Sequence, residues 1–172
     1  MKIGVMSDSH KRTGRSEQVI DLLLSHGAEQ IIHAGDIVKV EVLDLLEKTK
    51  LPYIAVYGNN DAHLFAFNDK YNLVQEPYHF KIGDLSASLM HHPHYLSYDR
   101  DIMIYGHTHD YDARYQNDTL ILNPGESCAR DKPLSECMLL EVTDDEYIVN
   151  YFYRAIKTKQ WVQTAKNFKR SM

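Results

Sequence analysis

The chain has 172 residues, 44% of them hydrophobic, and a formal charge of −5, which suits one domain with a sizeable core. The acidic balance argues against electrostatic capture of nucleic acid, while leaving that partner open. Cys128 and Cys137 form no CxxC pair, Lys2-Ile3-Gly4-Val5-Met6 is too short for a signal-peptide core, and no apolar stretch is long enough to cross a membrane; a reduced, cytoplasmic setting is expected.

Ile3 to Met6 predicts a buried strand. Ser16 to Ser25 predicts a helix with Val19, Ile20, Leu23 and Leu24 on one face and Gly27 as its C′ residue. A second strand (Ile31 to Ala34), a second helix (Val40 to Leu46, closed off by Leu51-Pro52) and a third strand (Tyr53 to Tyr57) follow. This β-α-β-α-β order predicts a parallel sheet with right-handed crossovers, whose ligands bind beyond the carboxyl ends of the strands. Asp8, Asp36 and Asn59 fall there. Residues 62–78 read as a loop or an irregular helix. Short strands then run His79 to Ile82, Leu85 to Met90, Asp101 to Tyr105, Thr119 to Leu122, Cys137 to Val142 and Tyr147 to Tyr153, with Gly83-Asp84 as a hairpin turn. Two packed sheets flanked by helices are expected. Residues 1–153 are expected to form a single domain, and 154–172 a basic tail that docks as a helix or frays.

Four segments each follow a strand: Asp8-Ser9-His10, Gly35-Asp36, Gly58-Asn59-Asn60-Asp61 and Gly106-His107-Thr108-His109. His91-His92-Pro93-His94 follows another apolar run. Singly, each reads as turn formers or exposed histidines. Together they bring carboxylates, imidazoles and an amide oxygen to converging strand ends. That donor set suits manganese, iron, zinc, nickel or cobalt better than magnesium or calcium. A carboxylate such as Asp36 can bridge two ions roughly 3.5–4 Å apart, which hold a phosphoryl group and a bridging hydroxide for in-line attack. If Asp8 and Asp36 are the only anionic ligands, two divalent ions and a bridging hydroxide leave a net charge of about +1, which a phosphodiester anion neutralises.

In order and spacing these segments resemble the D-x-H, G-D, G-N-[HN]-[DE], H and G-H-x-H pattern of the calcineurin-like metallophosphoesterase superfamily, over roughly residues 1–153. Within it the chain most resembles the small single-domain phosphodiesterases of bacteria and archaea, as does Asn123-Pro124-Gly125 after the last motif. The resemblance implies a four-layer α/β/β/α sandwich of two mixed sheets flanked by helices. It implies two divalent transition-metal ions, manganese foremost. It assigns Asp8, His10, Asp36 and His109 to one ion, and Asp36, Asn59, His91 and His107 to the other. It implies a phosphodiesterase acting on a small phosphoester through a metal-bridging hydroxide. A phosphomonoesterase or nucleotide pyrophosphatase is the nearest alternative enzyme. A scaffold that has lost catalysis is the alternative outside enzymes, as in the retromer subunit that resembles this branch. Plausible residues at all seven ligand positions favour the enzyme. A homo-oligomer stays open.

Two positions depart from the superfamily pattern. Asn60 stands where a His often helps protonate the leaving group, and His92 stands where Gly is expected after the ligand His91. Asn60, Asp61 and His92 are therefore the candidate catalytic positions. His92 or His94 could take over the missing role, and either could replace His91 as the ligand. His33 reads as a core residue or one that backs the ligands. Glu126, Ser127 and Arg130 read as a pocket border or a solvated loop.

Overall fold

Alternate residues of the first strands face different neighbours, so both faces of their sheet are apolar. Ile3 and Val5 enter one core and Met6 another; Ile32 and Ile31 divide in the same way. Burial on both faces is what makes these runs continuously hydrophobic. The computed structural model describes residues 1–170. It runs β1 (Lys2–Met6), α1 (Thr13–Ser25), β2 (Gln30–His33), α2 (Val40–Lys48), β3 (Tyr53–Val56), a 3₁₀ turn (Ala62–Phe67), β4 (Leu73–Val74), β5 (Tyr78–Ile82), β6 (Leu85–Leu89), a second 3₁₀ turn (Pro93–Tyr95), β7 (Ile102–Ile104), β8 (Tyr111–Gln116), β9 (Thr119–Pro124), β10 (Leu134–Val142), β11 (Glu146–Ala155) and β12 (Trp161–Lys169).

One sheet has seven strands in the order β12-β11-β10-β1-β2-β3-β4, the other five in the order β5-β6-β7-β9-β8. Both are mixed. Val19, Ile20 and Leu23 of α1 and Val42, Leu43 and Leu46 of α2 pack on the outer face of the first sheet. Each such side chain contributes ~1.5–3 kcal/mol when fully buried. The second core lies between the sheets, where Ile3, Val5 and Ile32 meet Leu89, Ile104 and Leu122. Beyond the second sheet, Leu96 packs on Met90, Met103, Tyr105 and Ile121. This fourth layer is thin: among the described residues it is a loop with one 3₁₀ turn, and no α-helix lies there.

The topology fixes where function can sit. β1, β2 and β3 are mutually parallel in one sheet, and β6, β7 and β9 in the other. The carboxyl ends of each trio share one edge of their sheet, and every segment singled out from the sequence follows one of those ends.

Three stretches differ from the sequence reading. Trp161–Lys169, expected as a docked helix or a frayed end, is a nine-residue strand paired with β11. Its template is tertiary: only Trp161 and Phe168 pack on the cores, and the other positions are mostly exposed. β8 was not anticipated either, although Asn117 (φ 50°) and Asp118 (φ 59°) supply the two left-handed residues of a tight hairpin to β9. α1 starts at Thr13 instead of Ser16. The Gly83-Asp84 hairpin forms as expected, with Ile82 opposite Leu85. Among the described residues no helix is long and apolar enough to cross a membrane.

Candidate metal centre

The backbone bends sharply where the candidate ligands sit. Asp8 (φ 51°), His10 (φ 43°), Asp36 (φ 54°), His107 (φ 68°) and His109 (φ 61°) all occupy the left-handed region. Such conformations cost of order 1–3 kcal/mol each, persist only when the surroundings impose them, and cluster at functional sites. Here the loops impose them on each other. Asp8 N donates to Gly35 O at 3.0 Å and His10 N to Asp36 O at 3.0 Å. His107 N, from the other sheet, donates to Asp8 Oδ2 at 3.1 Å. Two glycines permit this closeness: a Cβ on Gly58 would fall on Asp36 N and Oδ1, and one on Gly106 would strike Ser7 Oγ and Ala34 O.

The side chains then form two clusters that share Asp36. In the first, His109 Nε2 lies 3.2 Å from Asp8 Oδ1 and 3.4 Å from His10 Nε2, and His10 Nε2 lies 3.7 Å from Asp36 Oδ2. In the second, Asn59 Oδ1 lies 3.0 Å from His91 Nε2 and 3.1 Å from His107 Nδ1, and His91 Nε2 lies 3.5 Å from Asp36 Oδ1. Two ligands about 2.1 Å from a common ion lie about 3.0–3.4 Å apart, so both clusters suit a transition-metal ion.

Proton accounting supports the same fit. His91 Nδ1 donates to Ala34 O at 2.8 Å, which leaves a lone pair on Nε2. That lone pair faces Asn59 Oδ1 and Asp36 Oδ1, both acceptors. In the first cluster His109 Nδ1 meets Glu126 Oε2 at 2.6 Å, so its Nε2 turns a lone pair toward Asp8 Oδ1. Asp8 Oδ1 is buried and has no hydrogen-bond partner. Acceptors facing acceptors need a cation between them. Burial alone would push His109 down, yet the carboxylates of Asp8 and Glu126 on either side of its ring raise it to about 10. The position therefore demands positive charge, whether a second proton or a metal ion. Burial, with Arg130 nearby, lowers His10, and burial, with His91 nearby, lowers His107. Both shifts favour the neutral imidazole, the form that ligates metals.

A second layer fixes the ligands. Glu126 is fully buried, takes N–H donations from Asp131 (2.9 Å) and Lys132 (2.7 Å), and sits at about 2: burial would raise it, but His109 and these N–H groups outweigh that. His33 Nδ1 accepts from Gly35 N at 3.2 Å and its Nε2 meets Ser9 Oγ at 2.9 Å, tying two ligand loops. Glu76 Oε2 accepts the backbone N–H of both His91 and His92 at 2.7 Å.

The seven residues read as ligands thus converge. The three read as catalytic do not behave alike. Asp61 is fully buried and its carboxylate accepts from Ile37 N (3.1 Å), Val38 N (2.7 Å) and Gly58 N (2.8 Å). That is the geometry of a loop brace with no free oxygen for substrate, a correction to the catalytic reading. Asn60 donates from its backbone to Asp36 Oδ1 at 2.9 Å and from Nδ2 to Asp36 Oδ2 at 2.7 Å, so it acts on the shared carboxylate. His92 is exposed, with its ring 4.4 Å from that of His107, while His94 is one ring further along. Glu76 carries no signal of this role in the sequence, because it sits in the irregular segment. The sequence also leaves Glu126 undecided; Gly125, at φ 79° with no room for a Cβ, marks the turn that aims it.

The fold and this donor set define a family. The chain belongs to the calcineurin-like phosphoesterase superfamily, whose domain profile matches residues 1–145. It is 30% identical over 161 residues to a phosphodiesterase of Methanocaldococcus jannaschii, covering 86% of this chain and 96% of that one. The solved structure of an archaeal phosphodiesterase is similar at a TM-score of 0.73 and 27% identity, over 96% of this chain and 100% of that one. Vacuolar protein sorting 29 of Cryptosporidium parvum shares the fold, with a TM-score of 0.80 at 18% identity over 98% of each chain.

Proposed function

We propose that the protein is a phosphodiesterase that works with two divalent transition-metal ions, manganese foremost, with nickel, zinc, iron or cobalt as alternatives. The observation that carries this reading is Asp36, whose two carboxylate oxygens face two separate groups of histidine nitrogens. Asp8, His10, Asp36 and His109 would hold one ion, and Asp36, Asn59, His91 and His107 the other. Such a pair supplies Lewis acidity and a water that ionises near neutral pH. The chain's own residues do the rest. Asn60 keeps Asp36 from turning by gripping both of its oxygens. Hydrolysis adds water across one P–O bond, releasing a phosphomonoester and an alcohol whose oxygen must collect a proton. The amide of Asn60 has none to give. His92 accepts the His94 N–H at Nδ1, 3.0 Å away, which leaves the hydrogen of a neutral ring on Nε2; we assign that N–H a hydrogen bond to the leaving oxygen, and the proton itself comes from water. Two buried, unbridged cysteines fit a reducing cytoplasm.

General acid catalysis is typically worth about 10²–10⁴-fold, so a site without the usual His should turn over aryl esters, whose phenolate leaves unprotonated, far better than alkyl esters. The test uses metal-stripped protein with manganese, nickel, cobalt, zinc or magnesium restored one at a time. Bis(p-nitrophenyl) phosphate is compared with p-nitrophenyl phosphate on wild type and Asn60→His. Metal-dependent turnover that favours the diester is expected, with Asn60→His helping poorer leaving groups. A preference for the monoester, with a large gain in Asn60→His, would favour a phosphomonoesterase. No turnover with any metal would favour a scaffold.

A further inference from the structure

Beside the first cluster, at His10, lies a cavity of about 630 Å³, within the roughly 300–1,000 Å³ usual for small-ligand pockets. His10 and Asn60 form its wall at the clusters, and Lys11, Arg12 and Arg130 line it beside them. Although the chain carries 24 acidic against 19 basic residues, no carboxylate lines this cavity among the described residues. The cations differ in how they are held. Arg130 donates from Nε to Asp131 Oδ1 at 2.9 Å and reaches His10 Nδ1 at 3.4 Å, so its guanidinium is fixed against the first cluster. Lys11 and Arg12 are exposed, and neither side chain has a hydrogen-bond or ion-pair partner among the described residues. Both immediately precede α1, whose first turn contains no acidic residue and no side-chain cap, so the positive end of that helix adds to their field. Asp131 already balances Arg130, but Lys11 and Arg12 have no such anion, and like charges at one cavity repel each other unless an anion joins them.

We infer that this cavity is a second anion subsite, and that the substrate is a phosphodiester carrying a further phosphate group beside the scissile one. The inference rests on the hydrolytic reading above and narrows its substrate class. The metal clusters take the scissile diester, and Lys11 and Arg12, with Arg130 behind them, take the second phosphate through charge-assisted hydrogen bonds.

Two esters that share the same scissile bond test this: thymidine 5′-(p-nitrophenyl phosphate) with and without a 3′-phosphate. On the manganese-loaded protein the phosphorylated ester should have a kcat/KM at least about tenfold higher, a preference that shrinks as salt is raised. In Lys11→Ala/Arg12→Ala the ratio should fall toward one. Arg130 is left intact because it touches the ligand His10. Lys11→Gln/Arg12→Gln repeats the test with longer side chains in place. A parallel arm measures, by calorimetry on the same loaded proteins, the affinity of thymidine 3′,5′-bisphosphate against thymidine 5′-phosphate. A wild-type ratio near one, or a ratio that survives both double variants, overturns the subsite. Protein that cleaves neither ester, yet prefers the bisphosphate until Lys11 and Arg12 are changed, keeps the subsite and refutes the hydrolytic reading instead.

Discussion

The two clusters contain two imidazoles each but differ in the charge behind them. The first has Asp8 as a donor, with Glu126 and Asp131 against the far side of His109. The second has neutral Asn59, and its His91 is held by the carbonyl of Ala34. Asp8, His10 and His109 are buried, whereas Asn59 is exposed and His107 half-buried. With Asp36 shared, the first cluster carries two carboxylates and is enclosed, while the second carries one and reaches solvent at Asn59 and His107, although His91 is buried. The difference teaches how one fold can set two donor groups of unlike charge side by side. Carboxylates are placed behind one set of histidines and a backbone carbonyl behind the other.

The change that should break both halves at once is Asp36→Asn. It removes the only charge the clusters share. The loss of several kcal/mol of electrostatic stabilisation corresponds to a fall of about 10³-fold or more in kcat. Metal content should drop below two ions per chain, while circular dichroism stays native because the side chain lies beyond the strands. Near-normal activity with full metal content would end the shared-carboxylate reading.

His91→Ala acts on one half only. Metal content should fall toward one ion per chain, and the remaining ion should resist chelators, since it sits in the anionic cluster. His92→Ala should leave two ions and change only rate or pH profile. If His92→Ala or His94→Ala loses metal and His91→Ala does not, the ligand register is wrong. In wild type, stepwise addition of a chelator should release the metal in two phases, and the second cluster should empty first.

Glu126→Gln probes the layer behind the first cluster. Partners of this kind typically change metal affinity about 10–100-fold. Affinity at the tighter position should therefore fall by that factor, bringing the two phases of the chelator titration together. Two phases as far apart as in wild type would mean that the asymmetry does not come from Glu126.

Why some of this was legible in the sequence and some was not follows from how local each signal is. Asp8, Asp36, Asn59 and His107 each follow a short apolar run, so strand, sheet edge and candidate ligand could be read together. Asp61 could not be read correctly, because turn position suggests a carboxylate near the site but does not tell whether backbone N–H groups have already claimed it. Glu126 lies 17 residues beyond its partner His109, and only the β8–β9 hairpin brings them together. Trp161–Lys169 carries almost no pattern of its own, because an edge strand with few buried positions takes its form from the strand it joins. Lys11 and Arg12 were hidden beside His10 by their ordinariness: exposed basic residues acquire meaning only when a cavity gathers them.

The smallest expected effect concerns His33, which ties the first cluster's loop to the one that carries Asp36. Burial lowers its pKa from 6.5 to about 4, and its hydrogen bonds suit the neutral ring, with Nδ1 accepting from Gly35 N and Nε2 turned to Ser9 Oγ. Between those two values the unfolded chain binds a proton at this position and the folded chain does not. Stability of the metal-stripped protein should therefore decline as pH falls through that window and level off below it. His33→Gln keeps one donor and one acceptor but does not titrate. It should cost roughly 1 kcal/mol near neutrality, from imperfect hydrogen bonds, and flatten the decline. Urea midpoints of both proteins, stripped of metal and measured from about pH 7 to pH 4, make the comparison. The other histidines titrate in both, so the difference between the curves isolates His33. Parallel curves would show that the ring is not held neutral, and that the tie between the two ligand loops does not depend on its charge state.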